Sequence, residues 1–119
     1  MNSTATIATS FKTSFDAEKH AREAAEQFHR DHVKPVYRAE KAGEATFEAS
    51  CAAEKAYGEY TSAHYDALRV MLETPAPTMN DVIYKLETAC DNGYFDSSDT
   101  SYRALRQIAA DIRRLGGDA

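Results

Sequence analysis

The segment Thr74-Pro75-Ala76-Pro77-Thr78 divides this chain into two differently built parts. Two prolines within three residues remove two backbone donors and fix two φ angles. Each also disfavours α geometry in the residue before it. A helix arriving from the N-terminal side therefore ends here, and the next one starts beyond it. Upstream the chain is polar and alanine-rich, with few turn signals. Downstream it carries two short amphipathic patterns separated by a glycine stop.

The downstream half reads most clearly. Thr78 and Asp81 open a helix as a capping box, with Asp in place of the usual Glu. Val82, Ile83, Leu86, Ala89 and Cys90 recur at helical spacing and predict its buried face. Asn92-Gly93 is a C-terminal stop. After Tyr94-Phe95-Asp96 a second helix follows, with Tyr102, Leu105, Ile108, Ala109, Ile112 and Leu115 as its predicted buried face. Arg113 and Arg114 lie in its last turn, where the helix dipole favours cations.

Upstream, residues 1–13 are dominated by Ser, Thr and Ala and predict a flexible N-terminal arm. A first helix is predicted from Ser14, a good N-cap residue, to Lys34, where Pro35 ends or kinks it. Ala21, Ala25, Phe28 and His32 make one thin face. A second helix is predicted from Val36 to Glu73, with Gly43 and Gly58 as its weak points. No stretch shows strand-like alternation. The expectation is an all-α fold of about four helices: a long antiparallel pair plus a short C-terminal helical hairpin. Residues 14–119 are expected to form a single helical domain, in keeping with the chain's 119 residues.

Charge and composition narrow the function classes. The net charge is −5, and residues 36–73 and 74–98 each sum to −3. Direct nucleic-acid binding needs a positive footprint to neutralise phosphates, so it is not expected. No apolar run approaches the length of a membrane span. Residues 1–7 lack the basic and apolar regions of a secretory signal. Cys51 and Cys90 form neither a CxxC pair nor a zinc spacing, which points to a reducing, cytoplasmic setting.

Catalytic and metal constellations are incomplete. Glu26-Gln27-Phe28-His29 has the Glu-x-x-His spacing of di-metal bundles, but those need the motif on two helices plus two further glutamates. The acidic turn from Asp91 to Asp99 does not fit an EF-hand loop, whose sixth position is Gly and twelfth Glu. There is no Gly-x-Ser-x-Gly elbow and no phosphate-binding glycine loop. The expectation is a non-enzymatic protein with no cofactor and no bound metal.

Tyrosine carries the interaction signal, since one ring supplies both contact area and a hydrogen bond. Tyr57, Tyr60 and Tyr65 are assigned either to a thin core or to an interface, and Tyr94 with Phe95 likewise. The candidate partner-binding set is Tyr60, Asp91, Tyr94, Phe95 and Asp96. Glu73, Asp81, Glu87, Asp91 and Asp96 would steer encounter with a partner that has a basic surface.

The segments Tyr65-Asp66-Ala67-Leu68, Leu72 to Thr78, Lys85-Leu86-Glu87 and Ile108 to Leu115 resemble small uncharacterised helical proteins of alphaproteobacterial prophages and mobile elements. The resemblance covers about the last half of the chain. It implies an accessory protein of phage or mobile-element origin, and transfers no functional residue. Such proteins often bind and disable a host nucleic-acid-processing or defence enzyme, anti-CRISPR inhibitors among them. The alternative is a structural homodimeric helical scaffold with no inhibitory role.

Overall fold

The structure is a computed structural model and describes residues 3–96 and 98–116. Residues 1–2, 97 and 117–119 lie outside the described residues, and with them the start of the expected arm. The described residues are all-α, with four helices and no strand. The first helix is continuous over 38 residues. It comprises α1 (Thr4–Phe28), a π-helical segment (His29–Val33) and α2 (Lys34–Lys41). Then come α3 (Phe47–Leu72), α4 (Met79–Asp91), a 3₁₀ turn (Tyr94–Asp96) and α5 (Ser98–Gly116).

Two expectations about the first helix are corrected. It starts at Thr4 rather than Ser14, so residues 4–13 are helical rather than an irregular arm. Ser14 is buried mid-helix, where its hydroxyl donates to the Phe11 carbonyl at 2.9 Å. The helix also passes through Pro35. The preceding turn widens to π geometry, with the Lys34 N–H reaching back to the His29 carbonyl. A wider turn of this kind accommodates the missing donor and bulky ring of a proline without ending the helix.

The chain breaks instead at Gly43, which has φ +75°. The Gly43 N–H donates to the Glu40 carbonyl at 3.0 Å and the Glu44 N–H to the Ala39 carbonyl at 2.7 Å. That pair of bonds is a Schellman stop, which needs a left-handed residue that only glycine supplies cheaply. Gly58, the other weak point, lies unbroken inside α3.

The chain divides into two compact units. One comprises residues 17–67 and the other residues 1–16 with 68–119. In the 17–67 unit, paired residues move in opposite directions along the chain. Tyr37 meets Glu54, His29 meets Tyr57, Phe28 meets Tyr60 and Glu18 meets His64. Rising numbers on one helix against falling numbers on the other define the antiparallel pair. Glu18 is fully buried there, between His64 Nε2 at 2.8 Å and Arg22 Nε at 3.1 Å.

In the other unit, Leu68, Met71, Leu72, Ala76, Val82, Ala89, Tyr94, Ala104 and Ile108 make the core with Phe11. Its polar centre is an ion pair. Lys85 Nζ lies 2.7 Å from Asp111 Oδ2, and neither side chain is exposed. Lys85 also donates to the carbonyls of Leu72 and Thr74. Asp111 Oδ1 accepts from the Ala76 N–H at 3.0 Å and from Gln107 Nε2 at 3.0 Å. Backbone groups at the break between α3 and α4 are thus bonded by side chains: Lys85 takes the Leu72 and Thr74 carbonyls, Asp111 the Ala76 N–H and Arg114 the Ala76 carbonyl.

Candidate binding face on the C-terminal hairpin

The expected N-cap forms: the Asp81 N–H donates to Thr78 Oγ1 at 3.2 Å, and that hydroxyl, rather than the Thr78 N–H of a full capping box, donates to Asp81 Oδ2 at 2.7 Å. The stop after α4 also forms, with Gly93 at φ +64°. A side chain at Gly93 would place its Cβ 2.9 Å from Asp96 Oδ2, because that carboxylate folds over the turn. These two devices set where α4 begins and ends.

The inward set is only partly the expected one: Val82, Ala89 and Ile108 are buried as expected, and most of the others are not. On α4 the buried residues are Val82, Lys85, Thr88 and Ala89. Met79 and Ile83 are 41% and 47% exposed, Cys90 is exposed and Leu86 is half-buried. On α5 Ser101, Ala104, Ile108 and Asp111 are buried. Tyr102, Leu105 and Ile112 are 58%, 49% and 46% exposed, and Ala109 is exposed too. The correction has a physical cause. The Lys85–Asp111 pair fixes the rotation of both helices, and small residues on the inner side let them approach closely. The largest apolar side chains are left outside.

Those exposed side chains are ordered in rows. At about 100° per residue, Met79, Ile83, Leu86 and Cys90 fall on one strip of α4, and Tyr102, Leu105, Ala109 and Ile112 on one strip of α5. Exposed apolar residues scattered singly mean little, whereas contiguous ones mark interaction surfaces. The α5 row is edged by arginines: Arg106 lies over the Tyr102 ring at 5.1 Å, and Arg113 is exposed about two turns further on. The α4 row is edged by exposed Glu87 and Asp91.

The candidate residues named from sequence separate accordingly. Tyr94 has no exposed surface and its ring is core, which removes it from any contact face. A 3₁₀ turn directs consecutive side chains apart, so burying Tyr94 leaves Phe95 half-buried, edge-on to it at 5.9 Å. Asp91 and Asp96 are exposed. Tyr60 is 40% exposed in the 17–67 unit, its ring stacked on Phe28 at 4.7 Å. The steering acids also divide: Glu73 lies 3.5 Å from Arg69 and Asp81 serves the cap, while Glu87, Asp91 and Asp96 remain exposed. The signal missed in the sequence was the width of the α5 apolar arc, which exceeds what one neighbouring helix can cover.

Elsewhere, an open groove of about 540 Å³ is lined by Tyr37, Phe47, Ser50, Cys51 and Glu54 among others. Tyr37 donates to Glu54, and this bond holds the phenol's pKa up at about 12. Among the described residues, no group of three or more His, Cys, Asp or Glu is placed to hold a metal ion. No helix among them is long and apolar enough to cross a membrane. In comparisons with family models, curated proteins and solved structures, nothing matches this chain.

Proposed function

We propose that this chain is a non-enzymatic protein-binding protein whose contact face is the outer side of the α4–α5 hairpin. One observation carries the reading: α5 turns Ser101 and Ala104 inward and leaves Tyr102, Leu105 and Ile112 outside. Covering those three side chains supplies the driving force for association. The interior ionisable groups support the non-enzymatic part, since Lys85 and Asp111 are engaged with each other, as are Glu18, His64 and Arg22. Free Cys51 and Cys90 suit a cytoplasmic setting. The face has an arginine edge along α5 and an acidic edge along α4, which favours a partner whose apolar surface carries rims of both signs rather than the uniformly basic surface expected from sequence.

A second reading rests on the exposed Glu87, Asp91 and Asp96, which suit a basic partner such as a host defence enzyme of the CRISPR type. It extends the phage and mobile-element resemblance, with inhibition by occupation of a nucleic-acid channel.

A Leu105→Ser/Ile112→Ser variant tests the main reading. It should melt within a few degrees of the unaltered protein and bind much less of an apolar fluorescent dye. A large drop in melting temperature would mean that the row is core, and the reading would fail.

A further inference from the structure

We infer that the partner for this face is a second copy of the same chain, which closes the two hairpins into an antiparallel four-helix bundle. The inference rests on the protein-binding reading above and names its occupant. It is argued from length, rotation and charge.

The two rows match in length. At about 1.5 Å per residue, Met79 to Cys90 spans roughly 16 Å and Tyr102 to Ile112 roughly 15 Å. They also match in direction. On each helix the exposed row is turned roughly a third of a turn from the buried one, in the same rotational sense. Tyr84 lies a similar angle the other way and meets Phe15 of α1 at 4.9 Å. The α4 row therefore lies on the hairpin side turned away from that contact. In an antiparallel hairpin, equal offsets of the same sense place both rows on one side. That side is a single apolar surface, two helices wide.

Charge then selects the way two copies meet. Glu87 and Asp91 continue the same rotation past the α4 row, and Arg106 and Arg113 past the α5 row. One long edge of the surface is thus acidic and the other basic. A two-fold axis running along the hairpin lays α4 of each copy antiparallel on α5 of the other. Both acidic edges then meet arginine edges. A two-fold axis perpendicular to the surface normal and across the helices would stack α4 on α4 and oppose like charges. The pattern is self-complementary in one arrangement only, as an isologous interface requires. Eight row residues with their rims are fewer than the roughly 20–30 per side of a standard interface, so a dissociation constant in the micromolar range is expected.

The test is sedimentation equilibrium under reducing conditions, from about 1 µM to several hundred µM, a range that brackets the expected constant. Two charge-reversed chains are compared with the unaltered one: Glu87→Lys/Asp91→Lys and Arg106→Glu/Arg113→Glu. Each reversed chain alone should dimerise at least about tenfold more weakly, because its rims now repel. An equimolar mixture should restore a dimer, since both edges of the mixed pair are again opposite in charge. A mass of one chain at every concentration overturns the inference, and leaves the binding-face reading standing if the Leu105/Ile112 variant still melts normally. A dimer that neither reversal weakens also overturns it, because the contact then lies elsewhere.

Discussion

Lys85 Nζ and Asp111 Oδ2 lie 2.7 Å apart with both side chains fully buried, and between them they bond three backbone groups of the segment joining α3 to α4. Of those three groups, the Leu72 carbonyl closes α3, and the Thr74 carbonyl and Ala76 N–H belong to the segment after it. A buried pair of this kind gains stability only when its remaining hydrogen-bonding capacity is used, as it is here. Burial pulls the Lys85 ammonium below its usual pKa, and the Asp111 carboxylate opposes that shift. Removing one partner strands the other. Asp111→Leu or Lys85→Met should each destabilise the protein by about 3–5 kcal/mol, and a Lys85→Met/Asp111→Leu double variant by less than the sum. Urea denaturation of the four proteins checks this. Additive losses would show that the pair is not coupled.

Tyr37 is expected to titrate near pH 12 instead of 10, because Glu54 accepts its proton in a hydrogen bond. The folded state holds that proton more tightly than the unfolded chain. The bond's contribution to stability is therefore complete below pH 10 and lost as pH rises through about 12. Phenolate absorbance should show the Tyr37 phenol titrating late. Glu54→Leu should return it towards the ordinary value. An unchanged titration in that variant would exclude Glu54 as the cause.

Gly93 and Gly58 should respond oppositely to alanine. Gly93 has φ +64°, and an added Cβ would meet Asp96 Oδ2 at 2.9 Å. Gly93→Ala should cost more than about 1 kcal/mol. Gly58 is within α3, with nothing near its Cβ position, so Gly58→Ala should stabilise by about 0.5–1 kcal/mol. Thermal melts of the two variants, read against the unaltered protein, give both signs.

The adjacent rings of the 3₁₀ turn should also differ. Tyr94→Ala removes a fully buried side chain and should cost about 3 kcal/mol or more. Phe95→Ala should cost distinctly less, since that ring is half-buried. Equal losses would show that the turn packs as one unit.

Much of the architecture was legible because it rests on local chemistry. The proline segment, the Thr78–Asp81 cap and the glycine stop at Gly93 each act through one or two residues on the adjacent backbone, whereas Gly43 read only as a weak point, no different from Gly58. The misread parts depend on distant groups. Ser14 has the chemistry of a cap, yet Phe11 and Ser14 are drawn into the core and the helix runs past both. Pro35 carries a strong break signal, but the π-helical turn absorbs it. The candidate site was less legible than the fold. Tyr94, Leu105 and Ile112 have similar apolar character in sequence, and only packing separates a core ring from an exposed row.

By itself, then, the sequence determined an all-helical chain, its central break and the ends of its C-terminal hairpin. Caps, stops and proline geometry act within a few residues, and no neighbour is needed to read them. Tertiary structure decided which way each helix is turned. An apolar arc wider than one contact admits several rotations of nearly equal burial. The choice among them fell to Lys85 and Asp111, which lie 26 residues apart and must pair to be buried at all.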